Sequence, residues 1–182
     1  MKRTAVLLAD GFEEVEGLLP VDYLRRSGVD VSVLGVTGKQ VTGGHDIRVD
    51  TDMKVEDADG AFDAVYIPGG FPGVENIAAS TAAKELIKSV YEKGELVAAI
   101  CAAPAFVLEP MGIIEGKKVT CFPGAEEKLK TSTFVEERVV KDGKFLTSRG
   151  PGTAGEFAVE IIRFLLGDEK AEELRSKTLT RL

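Results

Sequence analysis

The chain carries one histidine, two cysteines and no tryptophan among 182 residues. One imidazole cannot build a zinc site that needs two or three of them, so HExxH-type proteases and His-rich catalytic zinc centres are excluded within one chain. Two cysteines are too few for a Cys-rich structural zinc site or a disulfide framework, and a reducing, cytoplasmic setting is the default expectation. Any Ser-His or Cys-His machinery would have to use His45. Basic residues number 23 against 30 acidic ones, a net charge of −7, with no Lys/Arg cluster to neutralise phosphates. No nucleic-acid partner is therefore expected. No apolar run reaches the length of a membrane span, so no membrane partner is expected either. The opening Met1-Lys2-Arg3 followed by Ala5 to Ala9 resembles a signal peptide only superficially. Its apolar run ends at Asp10, with Glu13, Glu14 and Glu16 beyond it, and it reads as a buried first strand.

What is present is a single-domain composition over residues 1–182. Apolar residues make up 44% and charged residues 29%, enough for one sizeable core and too apolar for disorder. Strand-like runs alternate with helical patterns. Thr4 to Ala9 is a continuous apolar run, as for a strand covered on both faces. Val15 to Ser27 has helical spacing and ends at Gly28, and Val29 to Val36 is the next strand. Val41 to Asp52 reads as a peripheral hairpin, and Asp63 to Pro68 as a strand entering a Gly-rich turn. Ala83, Leu86, Ile87, Val90 and Tyr91 follow the spacing of an amphipathic helix. Leu96 to Ile100 is a buried strand, followed by Cys101 and a helical run to Met111. Lys118 to Phe122 is strand-like. Arg138 to Ser148 contains Asp142-Gly143, which predicts a two-residue hairpin turn. Phe157, Ile161, Phe164 and Leu165 mark a C-terminal helix, and Glu169 to Lys177 a short polar helix or tail. The alternation predicts an α/β fold with a mostly parallel central sheet and helices on both faces. In such sheets the site lies outside the carboxyl ends of the strands, which directs attention to the segments after Ala9, Pro68 and Ile100.

The strongest of these is Leu96-Val97-Ala98-Ala99-Ile100-Cys101-Ala102-Ala103-Pro104. A buried strand ends in a nucleophilic residue, small residues follow and a helix begins, as in a nucleophile elbow. A thiol at a helix N-terminus is expected to have a depressed pKa. The alternative is a buried, inert cysteine packed as a small hydrophobe; the strand-Cys-small-small-Pro context favours function. After the first strand comes Asp10-Gly11-Phe12-Glu13-Glu14-Val15-Glu16. Helix-dipole complementarity accounts for Glu13 and Glu14. Glu16 has Pro20 four residues on, and a proline there cannot donate to the Glu16 carbonyl, so the helix should be bent or loosened. Glu16 is either a capping residue or a site acid tipped over the strand ends. Ile67-Pro68-Gly69-Gly70-Phe71-Pro72-Gly73 could aim backbone N–H groups into a site; a plain turn explains it equally. Ser148 to Thr153 could hold an anion at a helix N-terminus, though a structural turn is the simpler reading. Cys121 is expected as a buried structural thiol within a strand, and His45 as an exposed surface residue.

Taken together, Ala9 to Glu16 with Pro20-Val21-Asp22, Pro68-Gly69-Gly70, Ala98 to Pro104 and Leu146 to Thr153 resemble the ThiJ/PfpI superfamily, which shares the class I glutamine-amidotransferase-like fold. Within it, the chain looks most like the branch of YajL and the parkinsonism-associated deglycases. The motifs occur in the family's order and span nearly the whole chain. The resemblance implies a flavodoxin-like three-layer sandwich, a homodimer, no cofactor and no metal. It implies that Cys101 is an oxidisable nucleophile and that Glu16 is a buried, protonated carboxyl bonded to its sulfur. It further implies that Gly69, Gly70 and the Ala102 N–H line an oxyanion site. A carboxyl beside a thiolate should have a raised pKa and donate to the sulfur, which would favour the thiolate and hold a sulfinate. The implied activity is that of a glyoxalase or protein deglycase acting on small dicarbonyls or glycated substrates. The second reading is a redox sensor or oxidation-activated chaperone using oxidised Cys101. A third, an intracellular peptidase or amidase, is disfavoured because Ala102 and Phe122 stand where histidines occur in other members. The same lack of histidine predicts slow chemistry.

Overall fold

The computed structural model describes residues 1–181. In chain order its elements are β1 (Arg3–Leu8), α1 (Glu14–Arg26), β2 (Asp30–Gly35), β3 (Gln40–Thr42), β4 (Arg48–Asp50), β5 (Met53–Lys54), β6 (Ala64–Ile67), α2 (Gly73–Ala79), α3 (Thr81–Glu92) and β7 (Leu96–Ile100). After these come β8 (Lys118–Val119), β9 (Thr133–Phe134), β10 (Val139–Asp142), β11 (Phe145–Ser148), α4 (Ala154–Leu166) and α5 (Asp168–Thr178). Seven strands form one sheet in the order β10-β11-β7-β6-β1-β2-β5. All neighbours are parallel except the β10–β11 hairpin. The expected α/β architecture with a mostly parallel sheet is what forms.

Why the central strands read as unbroken apolar runs is clear from their burial. Every residue of β6, β7 and β11 is buried, and so is every residue of β1 after Arg3. Both faces are covered, so there is no solvent face to alternate with. The chain moves one way from β1 to β2 and the other way from β1 to β6 and β7. With right-handed crossovers this places α1 and α3 on opposite faces. α4 packs on α1, β7 and β11 and buries Phe157, Ile161, Ile162 and Leu165; each such side chain contributes roughly 1.5–3 kcal/mol by leaving water. α3 begins at Ser80, whose hydroxyl accepts the Ala83 N–H at 3.2 Å, a conventional N-cap. It buries Ala83, Ile87 and Val90.

Some local expectations shift. The Gln40–Thr42 and Arg48–Asp50 strands form the expected peripheral hairpin. In the β10–β11 hairpin Asp142 pairs with Phe145, so the two loop residues are Gly143 and Lys144, one place later than the Asp-Gly signal suggested. The run after Cys101 is helical only in part, with a π-helical Pro104–Leu108. The strand at Lys118 stops at Val119. Cys121 is fully buried but lies in the loop beyond that strand rather than within it, in a small cluster with Ala105 and Ala125. Glu169 to Lys177 is helical, as part of α5. Among the described residues no helix is long and apolar enough to cross a membrane.

Candidate active site

Three strand ends meet at one edge of the sheet. Ile67 of β6 is in register with Ala99 of β7, and Ser148 of β11 with Ile100. The next residues, Pro68-Gly69-Gly70 and Cys101, therefore leave the sheet side by side. The Cys101 N–H donates to the Ser148 carbonyl at 2.9 Å, and the Cys101 carbonyl accepts the Phe122 N–H at 2.9 Å. Held from both sides, Cys101 has φ +64, a left-handed conformation that a residue with a side chain rarely adopts. This is the sharp elbow that the small residues after Ile100 allow.

Glu16 reaches the same point from α1. Glu13 caps that helix, its carboxylate accepting the Glu16 N–H at 2.7 Å. Pro20 lies inside the helix and leaves the Glu16 carbonyl without its helical donor. The Tyr66 hydroxyl, fully buried on β6, fills that gap by donating to the Glu16 carbonyl at 2.6 Å. The Glu16 side chain has no solvent exposure. Its Oε2 accepts the Gly69 N–H at 2.8 Å, while Oε1 is buried without a hydrogen-bond partner. A Cβ on Gly69 would lie 2.5 Å from Cys101 Cβ, 2.9 Å from Cys101 Sγ and 2.7 Å from Glu16 Oε2. Thiol and carboxyl thus converge over a residue that can only be glycine.

This geometry changes one expected role. The Gly69 N–H is committed to the carboxyl, so it does not point into an oxyanion site. The backbone N–H groups that favour the thiolate are those of Gly70 and Ala102. Gly70 has φ +95, which a side chain would strain, and a Cβ there would meet Glu13 N and Gly11 O at 2.4 Å.

Electrostatics ties the two side chains together. Burial pushes the Glu16 carboxyl up to about 7, against the Gly69 N–H and the Cys101 contact, which pull it down. Burial and the adjacent Glu16 carboxylate likewise push the Cys101 thiol up, against the Ala102 and Gly70 N–H groups. The depressed thiol pKa expected from the helix N-terminus alone is therefore overridden, first by burial and further when Glu16 is charged. Once the pair has lost one proton, loss of the second is strongly opposed. The thiolate belongs to the arrangement in which the proton sits on Glu16 and the two N–H groups favour the charged sulfur.

The other candidates fall elsewhere. His45 is exposed, as expected, but it is not idle. Its N–H and Nδ1 engage the two oxygens of the buried Glu14 at 2.6 and 2.7 Å. Burial opposes ionisation of Glu14, yet the His45 contacts outweigh it and hold that carboxyl below its ordinary value. Glu13, Glu14 and His45 are the cluster whose side chains could be drawn to a cation, but His45 already occupies both Glu14 oxygens, which makes the group an anchor for the hairpin. The Ser148–Thr153 loop satisfies itself: Thr153 Oγ1 accepts the Gly150 N–H at 3.1 Å and donates to the Gly150 carbonyl at 2.8 Å. Tyr66 is the site residue that sequence reasoning missed. Pro20 gave the signal, since a helical carbonyl robbed of its donor needs another.

A parallel-sheet α/β protein with a strained cysteine elbow and a buried carboxyl partner is the class that fold and site define. The family model for the DJ-1/PfpI family matches residues 2–164, and the chain belongs to that family. It is 41% identical to the Parkinson disease protein 7 homolog of Danio rerio over 186 residues, covering 99% of this chain and 98% of that protein. It is 35% identical over 165 residues to the glutathione-independent glyoxalase DJR-1.2 of Caenorhabditis elegans, covering 89% and 87% of the two chains. The crystal structure of Drosophila melanogaster DJ-1beta superposes with a TM-score of 0.95 at 38% identity, covering 100% of this chain and 99% of that one.

Proposed function

We propose that this protein is a cofactor-free, cysteine-dependent enzyme that acts on reactive dicarbonyls and early glycation adducts. The observation that carries the reading is the convergence of Cys101 Sγ and the buried Glu16 carboxyl over Gly69. With methylglyoxal, Cys101 Sγ adds to the aldehyde carbon and the aldehyde oxygen takes up the proton, giving a hemithioacetal. Glu16 then removes the C1 hydrogen, forming an enediol, and returns a proton to C2. The product is a lactoyl thioester on Cys101: C1 has been oxidised and C2 reduced within one molecule. Water hydrolyses the thioester to lactate and restores the thiol. The Gly70 and Ala102 N–H groups stabilise negative charge where it develops on the sulfur and the adjoining oxygen. A carboxyl with a pKa near 7 is suited to both halves of this transfer at neutral pH. The similarity to a named glyoxalase supports the same class of chemistry.

Purified protein incubated with methylglyoxal should release lactate without glutathione. Cys101→Ser should abolish the release and Glu16→Gln should lower it at least about 100-fold, the usual weight of a general acid–base group. Lactate at the same rate from wild type and Cys101→Ser would refute the proposal. The reading includes a homodimer in the cytoplasm, in keeping with two free thiols and the family resemblance.

One feature favours redox sensing as a second reading. Glu16 Oε1 is buried and unpartnered on a carboxyl that contacts Cys101, and when protonated it can donate to an oxidised Cys101. Selective addition of two oxygens at Cys101 by mild peroxide, seen by intact mass, is the expected result; its absence would remove this reading. Peptidase chemistry finds no imidazole here, since the single ring is bonded to Glu14.

A further inference from the structure

Next to the reacting pair, though lined by neither Cys101 nor Glu16, lies a shallow, open depression of about 270 Å³. Its size suits a small group lying against the surface rather than an enclosed ligand. Its walls include the Phe122 ring, Pro123, Pro151 and the Gly150 backbone, with Arg138 and Arg149 completing the lining. It adjoins the chemistry through Gly150. A Cβ on Gly150 would lie 3.3 Å from the Phe122 ring and 3.9 Å from Glu16 Oε1. The Phe122 ring is 46% exposed, a large apolar surface left open at the lip of an otherwise buried site. Its backbone is held in place, because the Phe122 N–H is bonded to the Cys101 carbonyl.

The two arginines could suggest an anion, but their charges are already met. Arg138 Nε pairs with Glu156 at 2.6 Å and its Nη2 donates to the Gly152 carbonyl at 2.9 Å. Arg149 pairs with Glu136 at 3.2 Å, and its guanidinium lies over the Phe134 ring at 5.8 Å. What paired guanidinium groups, an exposed phenyl ring and two prolines still offer is flat, weakly hydrated surface.

We infer that this depression is a substrate subsite for a planar aromatic group, with Phe122 as the residue that sets the preference. The preferred substrates are then α-oxoaldehydes bearing an aryl substituent rather than a methyl group. The inference rests on the proposed dicarbonyl chemistry and names its substrate class. The carbonyl carbons would sit at Cys101 and Glu16 while the ring leaves past Gly150 to stack against Phe122. Phe122 is thereby a specificity residue and takes no part in proton transfer.

The test compares initial rates with phenylglyoxal, read as mandelate, and methylglyoxal, read as lactate, for wild type and Phe122→Ala. The ratio of kcat/KM for phenylglyoxal to that for methylglyoxal should fall at least about tenfold in Phe122→Ala, the scale of a lost apolar contact, and the fall should be in KM. An unchanged ratio would overturn the inference. So would a higher kcat/KM for 4-carboxyphenylglyoxal than for phenylglyoxal in wild type, which would make the arginines an anion site. A protection assay separates this inference from the activity itself. Mandelate should slow iodoacetamide alkylation of Cys101 at concentrations at least about fivefold below those of lactate, and Phe122→Ala should erase that difference. If no dicarbonyl is turned over but mandelate still protects in this way, the catalytic reading fails and the subsite stands. Equal protection by the two acids in wild type overturns the subsite whatever the activity.

Discussion

Replacing Glu16 with glutamine should remove most of the fall in stability between mildly acidic and mildly alkaline pH. Glu16 is a fully buried carboxyl whose pKa is raised from 4.5 to about 7. A raised carboxyl means that the folded state binds a proton more tightly than the unfolded chain does. Its contribution is therefore fully present below pH 4.5 and is lost as pH rises through about 7. The difference between 4.5 and about 7, at roughly 1.4 kcal/mol per pH decade, comes to roughly 3 kcal/mol. Glutamine keeps an acceptor for the Gly69 N–H but cannot ionise. Its amide nitrogen would occupy the place of Oε1, which has no partner, as the O–H of the protonated carboxyl does, so the two side chains start on a similar footing at pH 4.5. The assay is urea unfolding from pH 4.5 to 8, with both proteins carrying Cys101→Ser so that no thiol titrates at the site. The two proteins should begin close in stability at pH 4.5, and the glutamine variant should be the more stable by pH 8, by up to roughly 3 kcal/mol. Parallel profiles would show that Glu16 does not change its charge within the fold over this range, and would refute the reasoning.

Two further substitutions probe the scaffold around the pair. Tyr66→Phe leaves the Glu16 carbonyl buried without a donor, since Pro20 cannot supply one. It should cost about 1–3 kcal/mol in urea unfolding; a change under about 0.5 kcal/mol would show that the hydroxyl is not needed there. Gly69→Ala places a carbon 2.5 Å from Cys101 Cβ and 2.7 Å from Glu16 Oε2, so it must push the pair apart. Even where the variant folds, misplacement of the pair should lower lactate formation at least about 100-fold, and near-normal turnover would contradict the convergence described above.

The legibility of the sequence varied with how local each cause was. The elbow was readable because strand, nucleophile and small residues are adjacent, and their demands are steric. Glu16 was readable as a candidate because Pro20 lies four residues on, but Pro20 does not say what replaces the lost donor. Tyr66 sits fifty positions later in a run that reads simply as buried strand, so only the packing of β6 under α1 reveals it. Gly69 was read as an oxyanion donor because a Gly-Gly turn offers two N–H groups. Which of them binds the carboxyl and which favours the thiolate depends on the register of β6 against β7. The thiol pKa went astray for a related reason. A helix terminus lowers it, but burial and a neighbouring carboxylate oppose that effect, and both arise only when distant segments meet. Cys121 was expected inside a strand because its neighbours are apolar. The ladder with β9 ends at Val119, and the residues beyond it turn to bind the Cys101 carbonyl.

The central claim is that Cys101 and Glu16 titrate as one unit, and the pH dependence of Cys101 alkylation tests it most directly. Iodoacetamide labelling rates should be measured from pH 5 to 10 in wild type and Glu16→Gln, with Cys121→Ser in both so that a single thiol is followed. The account predicts that the wild-type thiol is alkylated only at higher pH than an ordinary free thiol, and that Glu16→Gln shifts the profile to lower pH because the neighbouring carboxylate is gone. Identical profiles that both rise as a single step at about 8.5, the value of an ordinary free thiol, would contradict it.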